Sequence, residues 1–175
     1  MEDHVVFRGA VKAEVPFEDI VAEARGTLLI LSFHGHTVEL GAGARASQLA
    51  SKVRTPPSRL DRLGVAYGQS SAVAGPIDSF DAAFRRELGT RADVATGLPK
   101  GAVDVLFFAV TAAAQLEPLP KLATLVKQDG SLWIVAARGT MGPPQLATAA
   151  KAAGLKVGAT ARFSATHEAT RLMRA

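Results

Sequence analysis

The chain has 175 residues, of which 48% are hydrophobic and 21% charged, a composition typical of a globular protein with one medium or two small domains. It contains no cysteine, which excludes disulfides, thiolate metal ligands and cysteine nucleophiles. The formal net charge is +4. No apolar stretch approaches the roughly 20 residues of a membrane helix, and the N-terminus lacks the apolar core of a signal peptide, so we predict a cytoplasmic protein with no membrane partner.

The first part of the chain, residues 1–55, predicts a small β-rich subdomain closed by a helix. The spacing of apolar residues indicates three strands and then one helix, over 9–17, 27–33, 36–40 and 44–54. Only His34 and Gly35 separate the second strand from the third, so these two strands form a tight hairpin. The order of strands followed by a terminal helix resembles a reduced pleckstrin-homology-type module in topology.

Basic residues are concentrated around the end of this first part. The segment 45–62 has five of them against one acid, Asp61, so its charge equals that of the whole chain: Arg45, Lys52, Arg54, Arg59 and Arg62. Such a patch favours contact with the phosphates of nucleic acid or with another anion. No aromatic residue is interleaved to stack on a base, so we predict a solvated surface, with weak, non-specific nucleic-acid binding as the alternative.

The second part, residues 56–175, alternates strands with helices, which predicts an α/β fold with a mostly parallel sheet. The predicted strands cover 70–75, 92–98, 103–110, 131–137, 155–163 and 168–174, and the helices 78–88, 119–128 and 143–154. The strands "VDVLFFAV" and "SLWIVAA" are continuously apolar, as strands covered by helices on both faces are. We therefore expect them to be central and adjacent, and the last two strands to form an antiparallel hairpin at one edge. Asp78 is the predicted N-cap of the first helix, and Asp129-Gly130 the predicted turn before "SLWIVAA".

Three segments carry a family resemblance: "VDVLFFAV", "LATLVKQDGSLWIVAARG" and "LATAAKAAGLKVGATARFSATHEATRLMR". Together they resemble the C-terminal half of the class I methyltransferase fold and, more narrowly, a small bacterial family of methyltransferase-like Rossmann domains, over about residues 60–174. The resemblance implies a truncated Rossmann-like fold. It also implies an S-adenosylmethionine site, with a glycine-rich loop after the first strand and an acid at the end of the second.

The loop after the first strand departs from this pattern. Gly75 stands alone, and Pro76 removes one backbone N–H and restricts φ. The strand 92–98 ends without an acid for the ribose hydroxyls. The stretch 95–103 is too short for a further helix and strand, so one βα unit that walls the adenosine pocket is missing. We therefore predict no cofactor, with S-adenosylmethionine as the alternative.

Any ligand of such a sheet is expected beyond the carboxyl ends of the parallel strands. These ends are 75–78, 97–98, 110–111 and 137–139, and the residues we single out there as ligand contacts are Gly75, Asp78, Thr111 and Arg138. Arg138 is expected to be a solvated arginine, with contact to an anionic ligand as the alternative. We predict no metal site, because His34 and His36 lack a third ligand.

These observations predict a non-catalytic protein that acts in binding or regulation, on a protein or small-molecule partner, through a degenerate methyltransferase-like domain. Two alternatives stay open. One is an S-adenosylmethionine-dependent methyltransferase with an atypical pocket. The other is a non-specific nucleic-acid-associated protein that uses the basic segment 45–62.

Overall fold

The structure is a computed structural model that describes residues 4–8 and 12–174, the side chain of Glu18 excepted. The described residues fall into two compact units, one ending at Ser58 and the other beginning at Arg59. Within these ranges no helix is both long enough and apolar enough to cross a lipid bilayer.

The described residues of the first unit form five strands and one α-helix: β1 (His4–Arg8), β2 (Lys12–Pro16), β3 (Val21–Arg25), β4 (Leu28–Phe33), β5 (His36–Gly41) and α1 (Ala46–Arg54). β1 pairs with β2, and β3, β4 and β5 form an antiparallel sheet in that order. β1 and β3 were not predicted; β3 alternates small alanines with charged residues and therefore lacks the apolar pattern of a strand. Residues 9–11 of the first predicted strand lie outside the described residues. The likeness of this unit to a pleckstrin-homology-type module stays a prediction.

The predicted hairpin between β4 and β5 is confirmed. Phe33 pairs with His36, and the two residues between them have positive φ, 46° at His34 and 78° at Gly35. Positive φ at both central residues is the geometry of the tight turn that matches the twist of antiparallel strands.

The described residues of the second unit form four α-helices and six strands: α2 (Arg59–Arg62), β6 (Ser70–Ala74), α3 (Ala82–Arg91), β7 (Asp93–Thr96), β8 (Val103–Val110), α4 (Leu119–Thr124), β9 (Val126–Ala137), α5 (Pro143–Ala152), β10 (Leu155–Arg162) and β11 (His167–Arg174). The sheet order is β7-β6-β8-β9-β11-β10. β7, β6, β8 and β9 are parallel, whereas β11 is antiparallel to both of its neighbours. The predicted fold class is confirmed: a mostly parallel α/β sheet of Rossmann-like type with a C-terminal antiparallel hairpin.

β8 and β9 are adjacent at the centre of this sheet, as predicted, and both faces of the sheet are covered. Val105 and Ile134 are each only 1% exposed. One face packs against apolar residues that precede β6 or belong to the α3 region, including Leu60, Leu63, Phe80, Phe84 and Leu88. The other face packs against residues of α4 and α5 and of the turn before α4, including Leu116, Leu119, Leu122, Leu146 and Ala150.

The start of α3 differs from the prediction. Asp81, and not Asp78, is its N-cap: the Asp81 carboxylate accepts a hydrogen bond from the Phe84 N–H at 2.7 Å. Residues 77–79 form a separate 3-10 turn, and Phe80 is extended, so the helix cannot begin at Asp78. The helix also continues through Gly89 to Arg91, because a glycine inside a helix lowers its stability without ending it.

The start of β9 differs as well. α4 ends at Thr124, and β9 begins at Val126, so Asp129 and Gly130 belong to a strand and not to a turn. Val103 pairs with Val126 and Val105 with Ser131, so residues 127–130 bulge out of the β8–β9 ladder. A Cβ at Gly130 would lie 2.7 Å from the carbonyl oxygen of Asp104, which explains the glycine there. Pairing with β8 on both sides of the bulge therefore keeps the Asp-Gly dipeptide within a strand.

Asp104 ties together the amino ends of β6, β8 and β9. Its carboxylate accepts hydrogen bonds from the Ser70 N–H at 2.9 Å, from the Ser70 hydroxyl at 2.7 Å and from the Lys127 ammonium at 2.9 Å. These bonds, with that from the Ser70 side chain the largest effect, lower the pKa of Asp104 from 3.8 to about 2.

The stability of the second unit is therefore expected to contain an acid-sensitive part that depends on Asp104. A carboxyl group whose pKa is lowered by folding stabilises the fold above its unfolded pKa, and this contribution is lost as the pH falls toward the folded value. The wild type should exceed Asp104→Asn in unfolding free energy by the largest amount above about pH 5. This difference should become smaller as the pH falls toward about 2. Urea denaturation across this range measures it, with the exposed Asp93→Asn on β7 as the control. A difference that stays constant with pH would contradict the assignment.

Candidate functional site

The ends of four parallel strands meet at one edge of the sheet in the second unit. β7, β6, β8 and β9 lie side by side and run in the same direction, so the connections that follow them leave from the same carboxyl edge. The four residues predicted as ligand contacts all lie in these connections: Gly75, Asp78, Thr111 and Arg138. Their role in binding stays a prediction.

Gly75 follows β6 and is required by the packing of the backbone. Its φ is +93°, and a Cβ built there would lie 2.3 Å from the carbonyl oxygen of Ala109 on β8. A side chain at this position therefore collides with the backbone of the neighbouring strand. Pro76, at φ −59°, then directs the chain into the 3-10 turn that holds the exposed Asp78.

Two further glycines lie at the same edge and present open backbone. Gly97 follows β7 with a φ of +86°, and Gly139 lies two residues after β9 with a φ of +78°. No heavy atom lies within 4 Å of the place where a Cβ would stand on either residue. The sequence puts both glycines at strand ends, but it does not distinguish them from Gly75, because the difference depends on what the neighbouring strand brings close.

Polar groups at the ends of β8 and β9 are held by short loops. The Thr111 N–H and hydroxyl both donate to the side-chain oxygen of Gln115, at 2.6 and 3.2 Å. Arg138 donates its backbone N–H to the Thr166 carbonyl at 2.9 Å and a guanidinium N–H to the Ser164 carbonyl at 3.3 Å. These hydrogen bonds hold the side chains of Thr111 and Arg138. Both residues are exposed at the edge and therefore accessible to a ligand.

The basic segment is divided between the two units. Arg45, Lys52 and Arg54 are exposed on the first unit, whereas Arg59 and Arg62 belong to the second. The Arg59 side chain is only 14% exposed. Its guanidinium bonds to the carboxylates of Asp81, at 2.6 and 3.2 Å, and Glu87, at 3.2 and 3.3 Å.

Arg59 has a structural role in the second unit. Besides its two carboxylate partners it lies over the rings of Phe84 and Phe163, with distances to their centroids of 5.2 and 5.5 Å. Burial opposes ionisation of the Asp81 carboxyl, but the hydrogen bonds from Arg59 and from the Phe84 N–H outweigh it, so the pKa of Asp81 is lowered. One of the five basic residues considered as phosphate contacts therefore holds α2 against α3.

No protein-family model matches the sequence, and no curated protein matches it either. Several solved structures are similar in fold. A methyltransferase from Aquifex aeolicus, described as dependent on S-adenosylmethionine (SAM), is 17% identical, with 74% of this chain and 96% of that chain covered and a TM-score of 0.44. A ribosomal protein L11 methylase from Lactobacillus delbrueckii subsp. bulgaricus is 14% identical, with 66% and 74% covered and a TM-score of 0.45. Magnesium protoporphyrin IX methyltransferase from Synechocystis PCC 6803, solved with bound SAM, is 13% identical, with 66% and 74% covered and a TM-score of 0.45.

These findings correct two predictions from the sequence. The similar structures are methyltransferases, and one of them was solved with its methyl donor, so the predictions of a non-catalytic protein and of no cofactor are wrong. Both predictions rested on the lack of a glycine-rich loop around Gly75 and of an acid at the end of the strand 92–98. At these identities and TM-scores the similarity concerns the fold alone.

Proposed function

We propose that the second unit is a methyltransferase domain that holds SAM at the carboxyl edge of its sheet. The observation that carries the proposal is the open backbone at Gly97 and Gly139, on the edge where four parallel strands end. A ligand can approach bare backbone there more closely than any side chain would allow. The strand order also supports it, since the antiparallel β11 between β9 and β10 is the closing hairpin that the class I methyltransferase resemblance implies.

The residues present at this edge suit the charges of the donor. SAM carries an ammonium and a sulfonium, which an exposed carboxylate such as that of Asp78 attracts, and a carboxylate, which the guanidinium of Arg138 attracts. Thr111 adds a hydroxyl at the end of β8. When bound, SAM supplies a methyl group bonded to a positively charged sulfur, and the protein contributes by orienting it toward a nucleophilic acceptor.

The adenosine side of this site is atypical. β7 is an edge strand, and within the described part of the chain no further strand pairs with it. Ala95 and Thr96 on β7 are exposed. With the neighbouring βα unit missing, the adenosine group has one wall fewer, so we propose that this part of the ligand is more exposed to water than the methionine part.

We expect the purified chain to bind SAM and S-adenosylhomocysteine with saturable heats in isothermal titration calorimetry. Asp78→Ala should weaken binding of SAM at least about tenfold, because the attraction of its two positive groups to the carboxylate is lost. Asp93→Ala is the matched control, since it removes an exposed aspartate from the other end of β7, and it should leave the affinity unchanged. A folded wild-type chain that binds neither compound would contradict the proposal.

A further inference from the structure

A cleft lies at the amino edge of the same sheet, opposite the candidate SAM site. It has a volume of about 370 Å³, within the range of small-molecule sites. Its walls come from the connection before β6 and from the bulged start of β9, and Arg171 of β11 completes it. The polar and charged residues of its lining include Gln69, Asp104, Lys127, Asp129, Ser131 and Arg171.

One pair of charges in the cleft is already satisfied within the protein. Lys127 donates to both oxygens of Asp104 at 2.9 Å, and Ser70 supplies two more donors to the same carboxylate. This pair ties the strands together and contributes no net charge to the cleft.

The other two charges of the cleft have no ion-pair partner among the described residues. Arg171 donates through Nε to the hydroxyl of Ser131 at 2.9 Å, and its two terminal nitrogens make no hydrogen bond within residues 4–8 and 12–174. Asp129 is exposed and forms no ion pair among those same residues. Asp129 lies in the bulge at 127–130, whereas Arg171 pairs with Trp133 on the neighbouring strand. The two charged groups are not within the 4 Å of an ion pair.

We propose that this cleft binds a small zwitterion with one carboxylate and one ammonium group, the chemistry of a free α-amino acid. The terminal nitrogens of Arg171 form a fork that receives a carboxylate in two parallel hydrogen bonds. Asp129 receives the ammonium. Gln69, whose side-chain oxygen accepts a hydrogen bond from the Ala66 N–H at 2.8 Å, also lines the cleft. A simple anion would be repelled by Asp129, and a simple cation by Arg171, whereas a zwitterion compensates both charges.

This cleft is independent of the SAM site proposed above, because it lies at the other edge of the sheet. The test is a titration of the full chain with each of the twenty common L-amino acids. Binding is measured by saturation-transfer NMR of the amino acid and by the shift in the melting temperature of the protein. We expect at least one amino acid to bind. Its N-acetyl derivative, which lacks the ammonium, and its amide, which lacks the carboxylate, should each bind at least tenfold more weakly.

Variants of the protein locate the binding. Asp129→Asn, at an exposed position, should weaken binding at least tenfold, and Arg171→Gln should abolish it, whereas the exposed Arg85→Gln on α3 is the charge-matched control and should have no effect. SAM affinity should be unchanged in Asp129→Asn, so failure of either proposal can be told from failure of the other. No binding of any amino acid at roughly 10 mM would overturn the inference. So would equal affinity for the N-acetyl derivative, or binding that survives Asp129→Asn.

Discussion

The Gly75→Ala variant is expected to lose about 4 kcal/mol of unfolding free energy, combining the strain of a positive φ with overpacking against a strand. The added Cβ would stand 2.3 Å from the Ala109 carbonyl oxygen, so β6 and β8 would have to separate at the carboxyl edge. These strands hold Asp78 and Thr111 at their ends, and we therefore expect SAM binding to be lost as well. Urea denaturation measures the first effect and calorimetry the second.

Gly97→Ala is the matched control for this variant. Its φ of +86° is close to the +93° of Gly75, but its Cβ would meet no heavy atom within 4 Å. The strain of the backbone alone should cost about 1–2 kcal/mol. If both variants lost the same free energy, close approach to Ala109 would not be the reason for glycine at position 75.

Phe107→Ala is expected to cost about 3–5 kcal/mol of unfolding free energy, as is usual for a large side chain removed from a close-packed core. Phe107 lies on the central strand β8 and is 0% exposed. Its ring packs edge-to-face on that of Phe84 in α3, with a centroid distance of 5.1 Å. Removal leaves a cavity between the sheet and α3 that the paired strands on either side prevent from closing.

Phe108→Ala provides the comparison for this variant. Phe108 is the next residue of the same strand, faces the other side of the sheet and is only partly buried. Phe108→Ala should therefore lose clearly less unfolding free energy than Phe107→Ala in the same denaturation experiment. Equal losses, or a Phe107→Ala protein that melts with the wild type, would show that the α3 face is packed less tightly than described.

Much of the second unit follows from local patterns. The unbroken apolar character of "VDVLFFAV" and "SLWIVAA" predicts two central strands, because only strands covered on both faces have such a sequence. The short stretch after β7 predicts the loss of a βα unit, since too few residues remain for a helix and a strand. The sequence also predicts that the candidate site lies at the carboxyl edge. The long connections between strands imply that the strands are parallel, so their carboxyl ends lie at one edge of the sheet.

The chemistry at that edge was predicted less well. The lone Gly75 and the missing acid after β7 led to the wrong prediction of a protein without a cofactor. A glycine count treats all glycines alike, whereas the structure separates Gly75, which is closed off by Ala109, from Gly97 and Gly139, which are open. That distinction depends on atoms of other strands and has no signal in the local sequence.

The sequence by itself determined the fold class, the central strands and the hairpins, because periodicity and turn residues act over a few neighbouring positions. Only the tertiary structure decided that Asp81 caps α3, that residues 127–130 bulge and that Arg59 is held by Asp81 and Glu87. Each of these outcomes depends on a partner brought close by folding: Arg59 meets the carbonyl of Phe163, 104 residues away, at 3.3 Å. Local sequence favours certain conformations of each segment, and the free energy of such long-range contacts determines which of them the folded chain adopts.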